Sequence, residues 1–199
     1  MRVLIIGASG LIGRAIVGEL GGRHELVTAG RNSGDLRLDI TDPASIKAMY
    51  EHAGALDAVV SAAGKVKFAP LADLTGADFD LGLRDKLMGQ VNIVLIGQHY
   101  ITDGGSFTLT TGVLDHDPIP MGSSASLVNG AVNAFVLAAA IELRRGLRIN
   151  AVSPGVIKEA LAHYGPFFRG FEAVPVAKAA RAYAKSVEGA QTGQVYRVL

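Results

Sequence analysis

The chain has 199 residues, 49% of them apolar and 19% charged, a balance that suits one compact domain with a sizeable core and excludes a disordered chain. A net charge of +1 with no basic cluster argues against nucleic acid as the main ligand. The absence of cysteine excludes disulfides and thiolate metal sites and fits a reducing, cytoplasmic setting.

The first predicted element is the apolar strand Val3–Ile6, followed at once by Gly7-Ala8-Ser9-Gly10-Leu11-Ile12-Gly13 and a helix over Leu11–Leu20. A tight glycine turn between strand and helix aims backbone N–H groups and a helix N-terminus at one spot, which suits a phosphate or pyrophosphate. Gly7 allows the turn, Gly10 lets a ligand approach the backbone, and Gly13 lets the helix pack close on the strand. The spacing is Gly-x-x-Gly-x-x-Gly, a departure from the Gly-x-Gly-x-x-Gly fingerprint of dinucleotide sites.

Further along, strands are predicted at Glu25–Ala29, Ala58–Ser61, Ser106–Thr110, Arg148–Val152 and Gln194–Val198, with a weaker one at Leu36–Leu38. Between them fall helices near Pro43–His52, Phe79–Tyr100, Ser126–Arg145 and Pro175–Glu188. Asp42-Pro43 is a start signal, an N-cap followed by proline at the first helical position. Apolar strands alternating with helices predict an α/β fold, a single doubly wound Rossmann-type domain over residues 1–199. Its parallel sheet would have about seven strands, with helices on both faces and ligands at the carboxyl ends of the strands. No leader with a basic and then an apolar region is evident, and the most apolar stretch, Ala131 to Leu143, is broken by Asn133 and Glu142. Neither a signal peptide nor a membrane span is expected.

In order and spacing, these segments resemble the short-chain dehydrogenase/reductase family over nearly the whole chain. The glycine turn is similar to the family's cofactor loop. Ser61-Ala62-Ala63-Gly64 stands where the family has Asn-Asn-Ala-Gly, and Arg148-Ile149-Asn150-Ala151-Val152-Ser153-Pro154-Gly155 resembles its sixth strand and the Pro-Gly turn beside the nicotinamide. Thr192-Gly193-Gln194-Val195 is similar to the lead into its last strand. The resemblance implies cofactor contacts at Gly7, Ser9, Gly10, Leu11, Ile12, Gly13, Ala62, Ala63, Gly64, Pro154, Gly155 and Val156. It also implies that Asp39 sits beside the adenine, with Ile40 flanking the ring; Asp39 equally suits a turn residue ahead of the Asp42 cap.

The second strand ends Ala29-Gly30-Arg31 with Ser33 behind it. A guanidinium fork and a hydroxyl suit a 2′-phosphate better than a bare diol, so NADP(H) is expected over NAD(H).

The chain departs from the family in its hydride chemistry, which rests on a Tyr-x-x-x-Lys pair one helical turn apart, with a Ser and an Asn. Here Ala125 falls at the Tyr position and Asn129 at the Lys position. Lys86, in Lys86-Leu87-Met88-Gly89, falls at the Asn position, and Thr110-Thr111-Gly112 stands at the strand-end Ser. Alanine carries no proton, and a neutral amide cannot acidify a phenol. The candidate catalytic residues are therefore Thr111, Lys86 and Asn129, with Lys86 a proton donor if it points into a dry site. Two other candidate donors are His116 between Asp115 and Asp117, and Tyr164, the latter expected to pack with Phe167 and Phe168. The five histidines show no metal-ligand spacing, so no metal is expected.

Two functions follow as expectations. One is an NADP(H)-using oxidoreductase acting on a small carbonyl or alcohol with a non-standard proton donor. The alternative is a non-catalytic NADP(H)-binding sensor or scaffold. Gly165-Pro166-Phe167-Phe168-Arg169 offers apolar surface and one cation, a hint of a small, acidic substrate. In the family the helix over Ser126–Arg145 and the long helix before it build subunit interfaces, which implies a homodimer or homotetramer, with no nucleic-acid or membrane partner.

Overall fold

Strands that are apolar on both faces need covering on both sides, and β1 (Arg2–Ile6) has that cover. In the computed structural model, which describes residues 1–199, it is the third strand from one edge of a seven-stranded sheet. The other strands are β2 (Glu25–Gly30), β3 (Leu36–Arg37), β4 (Leu56–Ser61), β5 (Ile101–Thr110), β6 (Arg148–Pro154) and β7 (Val195–Val198). The order is β3-β2-β1-β4-β5-β6-β7, and every pairing is parallel.

Helices α1 (Leu11–Leu20) and α7 (Val176–Glu188) cover one face, where Ile16, Leu20, Tyr183 and Val187 pack on Val3, Ile5, Ala58 and Val60. The other face carries α2 (Pro43–Ala53), a long helix from Gly76 to Gly97, and α5 (Ser123–Glu142). There Tyr50, Ile93, Val132 and Val136 meet Leu4, Val59, Phe107 and Ile149. Asp42 caps α2 by accepting from the Ala44 N–H at 2.9 Å, with Pro43 next in the chain.

The long helix is α3 (Gly76–Gly82) and α4 (Gly89–Gly97) joined by a π-helical turn over Leu83–Met88. A π turn inserts an extra residue and rotates the side chains after it, and such turns recur at functional sites. This one contains Lys86.

Several boundaries differ from the sequence reading, the long helix running Gly76–Gly97 where the sequence predicts Phe79–Tyr100. β5 starts at Ile101 because a glycine-containing irregularity, marked by a register shift between Leu56 and Ala58, lets the chain rejoin β4 five residues early. α5 starts at Ser123 and stops at Glu142, because Arg145 turns into the left-handed region at φ 59. A short helix, α6 (Leu161–Tyr164), lies in the segment between β6 and α7, where none was predicted. Helix α5 is, by length and composition, long and apolar enough to cross a membrane, contrary to the reading of Ala131–Leu143. In the fold it lies along the sheet, with Val128, Val132 and Val136 fully buried and Asn129 and Asn133 on the buried face.

Candidate functional site

The chain leaves β1 for β2 on one side of the sheet and later returns to β4 on the other, so the crevice between the ends of β1 and β4 is a topological switch point, where open α/β sheets bind ligands. Gly7 sits there at φ 83, donating its N–H to the Ala29 carbonyl, while Ala62 donates to the Ile6 carbonyl. A Cβ on Gly7 would lie 2.8 Å from the Ala62 carbonyl oxygen, and one on Gly13 would fall on the Gly7 carbonyl itself. These contacts force the turn into a bare backbone cradle. Helix α1 begins on that cradle at Gly10 with no side-chain cap. Its first N–H groups are left for a ligand, and the helix dipole favours an anion there. The cradle therefore fits a dinucleotide pyrophosphate.

Two cavities open from it, sharing Gly10 and Ala62 as common wall. The first is lined by Gly7, Ser9, Arg31, Ser33, Ile40, Ala63 and Gly64 among others, which brings together most of the residues expected around an adenosine. Asn32, Leu38, Lys65 and Asp85 join them unforeseen. Asp85 is buried and accepts the Lys65 N–H at 2.7 Å, so it anchors the loop after β4. A buried acid next to the lysine singled out in the sequence was the available signal. Gly13 and Asp39 lie outside both walls: Gly13 acts from beneath by packing on the turn, and Asp39 serves its own loop. The Thr41 hydroxyl and amide bond the Asp39 carboxylate, and Arg31 reaches it at 2.8 Å. These donors hold it down to about 2, the Thr41 hydroxyl foremost.

The second cavity, of about 350 Å³, brings together Leu11, Ile12, Lys86, Thr111, Asn129, Pro154, Gly155 and Val156. Thr111 is buried, and its hydroxyl reaches the Val152 carbonyl only at 3.4 Å. Lys86 donates from Nζ to Asn129 Oδ1 at 2.7 Å and to the Thr111 carbonyl at 3.3 Å. Asn129 in turn donates from Nδ2 to the Gly112 carbonyl at 3.2 Å. Burial pushes the Lys86 ammonium down to about 8. Gly64, at φ 140, makes room for it, since a Cβ there would lie 2.7 Å from Lys86 Cγ.

Gln90 is a positioning residue the sequence reading passed over. Fully buried, it exchanges hydrogen bonds with Thr110, donating at 3.0 Å and accepting at 2.8 Å, and donates to the Lys86 carbonyl at 3.2 Å. It ties the π turn to the end of β5. A glutamine one turn after Lys86, at the head of the mostly apolar α4, was the signal that marked it.

Ala125 lies in the cavity wall, 3% exposed, so no phenol enters from α5. Tyr164 does line the cavity, and it packs on Phe68 and His163 instead of Phe167 and Phe168. Phe68, from the loop after β4, lines the same cavity. His116 is exposed and outside the cavity, and Asp115 turns away from it to accept the Asn133 amide at 2.9 Å. No group of three or more acidic or histidine side chains is placed to hold a metal.

A family model described as enoyl-(acyl carrier protein) reductase matches residues 19–197. The versicolorin reductase of Emericella nidulans is 30% identical over 140 residues, covering 67% of this chain and 53% of that protein. The trihydroxynaphthalene reductase of Pestalotiopsis fici is 26% identical over 185 residues, 80% of this chain and 66% of the relative. The chain spans about half the length of the first such relatives. Among solved structures, a Listeria innocua protein is 52% identical with a TM-score of 0.99, each chain covered to 100%. A small-chain dehydrogenase in complex with NADPH is 25% identical with a TM-score of 0.88, covering 100% of this chain and 96% of its own.

Proposed function

Because the chain belongs to the short-chain dehydrogenase/reductase family of oxidoreductases, we propose that it reduces a small carbonyl compound, or oxidises the matching alcohol, with NADP(H), and that Lys86 handles the proton. The observation that carries this reading is the Lys86 ammonium, held by Asn129 and the Thr111 carbonyl in the wall of the cavity that opens from the dinucleotide cradle. The curated relatives are named reductases, and one solved neighbour holds NADPH, both in keeping with it.

The cradle residues would hold the pyrophosphate, and Arg31 and Ser33 the 2′-phosphate. The bound cofactor supplies the hydride. Lys86 does the rest of the polar work. Two of its three hydrogens go to Asn129 and Thr111, which fix the ammonium in place, and the third serves the substrate oxygen. As negative charge develops on that oxygen, Nζ donates its proton to it and becomes a neutral amine. A lysine lowered to about 8 gives up that proton far more readily than an ordinary one near pH 7.

Ala125 supports a second reading, a cofactor-binding sensor or scaffold without turnover. Calorimetric titration with NADPH and NADH, paired with an NADPH-oxidation screen over carbonyl compounds, separates the two. Selective NADPH binding with turnover that Lys86→Met removes supports the enzyme. Tight binding with no turnover across the screen supports the sensor, and binding of neither nucleotide overturns both.

A further inference from the structure

We infer that the substrate is a neutral compound with an apolar body and one carbonyl oxygen, not a carboxylate; this deepens the oxidoreductase reading above and rests on it. The wall of the second cavity beyond the cradle is mostly hydrocarbon, with polar side chains at Lys86, Thr111, Asn129 and Tyr164. Val66 and Phe68 come from the loop after β4, Leu114 from the turn after β5, Ala125 from α5, and Ile157 and Phe168 from the segment after β6. Arg169, the cation that made an acidic substrate attractive in the sequence, is not part of this wall, and neither is Phe167.

The charge count decides the matter, since Lys86 is the one charged side chain in the wall. An ammonium has three hydrogens, and Lys86 spends two on Asn129 Oδ1 and the Thr111 carbonyl. One N–H remains, enough for one carbonyl oxygen. A substrate carboxylate would lie elsewhere on that wall with no second cation beside it, and an unpaired charge buried among mostly apolar groups is costly. The Asn129 amide, whose Nδ2 donates one hydrogen to the Gly112 carbonyl and whose Oδ1 accepts from Lys86, has one N–H to spare but no charge to offer. A cavity of about 350 Å³, shared with the reactive end of a cofactor, limits the body to a single ring or a short chain. Ala125 keeps that space open where a larger side chain would fill it.

The test uses a pair matched in heavy atoms, isopropylcyclohexanone and oxocyclohexanecarboxylate, titrated by calorimetry against the full chain with and without saturating NADP⁺, and separately assayed for NADPH oxidation. The expected result is that the neutral ketone binds at least roughly tenfold more tightly than the acid. Ala125→Phe should abolish that binding while NADPH affinity stays as in the parent, which also verifies folding of the variant. Equal or tighter binding of the carboxylate, or binding of neither ring, overturns the inference on the unmodified protein alone. Binding of the neutral ketone without NADPH consumption leaves the ligand class standing and removes the oxidoreductase reading, so the two failures are told apart.

Discussion

The Lys86 ammonium and the Asn129 amide oxygen meet at 2.7 Å, joining the π turn of the long helix to α5. In the family pattern the lysine belongs on the later helix and the asparagine on the earlier one. Here the two residue types stand exchanged, and the structure puts them in direct contact. The cation is thus retained at the site while its anchoring helix has changed. The phenol it would have acidified is gone, because position 125 is alanine.

That contact makes a prediction about rate. With Lys86 as proton donor, carbonyl reduction should fall as pH rises through about 8, where the ammonium is lost, and alcohol oxidation should rise over the same range. Lys86→Met should lower kcat by roughly 10²- to 10⁴-fold and remove that limb of the profile. Tyr164→Phe should leave both in place. A profile that keeps its limb in Lys86→Met, or collapses in Tyr164→Phe, would assign the proton to another group.

The same lysine sets a stability trend. Its folded value, about 8, lies below the ordinary 10.5, so between those limits the unfolded chain binds more protons than the folded one. Stability conferred by this site therefore rises with pH across that window, and below it the buried ammonium costs stability in full. The window is best read between about 8 and 10, since burial raises the Tyr50 and Tyr183 phenols and their opposing slope begins only above 10. Urea midpoints of Lys86→Met should lack this upward trend relative to the parent. Parallel slopes in the two proteins would show that the site does not hold a depressed lysine.

Much of this was legible in the sequence, and the rest was not for physical reasons. The Val3–Ile6 run, the three glycines and Asp42-Pro43 act locally, through burial on both faces, steric limits and capping, so a short window suffices to read them. The approach of Lys86 to Asn129 depends on a π turn whose cause is tertiary, involving the Gln90 bonds to Thr110 and the room left by Gly64. No periodicity announces it. The turn of Asp115 from its neighbour His116 towards Asn133 is likewise a contact across 18 positions, invisible in a run of adjacent charged residues.

Arg31 should set cofactor preference. Its guanidinium lies on Asp39 at 2.8 Å and lines the first cavity with Ser33, half-exposed and able to turn to a phosphate. Charge-assisted hydrogen bonds of this kind contribute about 1.5–3 kcal/mol, so Arg31→Ala should weaken NADPH binding by roughly 10- to 100-fold. NADH affinity should change far less. Equal losses for both nucleotides would mean that Arg31 supports the loop and does not read the 2′-phosphate.

Gly13 tests the cradle without touching either cavity wall. A methyl there would fall on the Gly7 carbonyl, so Gly13→Ala has to push α1 away from the turn. Overpacking of this sort costs about 1–3 kcal/mol, and the displaced helix terminus should also weaken both nucleotides together. Gly18→Ala, on the same helix with open space around it, is the control and should be neutral or slightly stabilising. If Gly13→Ala binds nucleotide like the parent, the helix terminus is not the pyrophosphate site.

A last prediction concerns assembly, and it rests on what α5 leaves uncovered. One face of this helix is fixed by Val128, Val132 and Val136 against the sheet, yet Leu127, Leu137 and Ile141 face outward, Ile141 being 88% exposed. On the neighbouring helix, Leu81, Met88 and Leu95 are exposed too. Apolar side chains like these cost little singly, but a contiguous strip of them marks an interaction surface. The occupant expected is a second copy of this chain, whose own strip is self-complementary under two-fold symmetry. Light scattering should give a dimer or tetramer mass, and Leu137→Lys with Ile141→Lys should shift it to the monomer while nucleotide affinity is kept. A parent protein that is already monomeric at working concentration would leave that strip free for a partner of another kind.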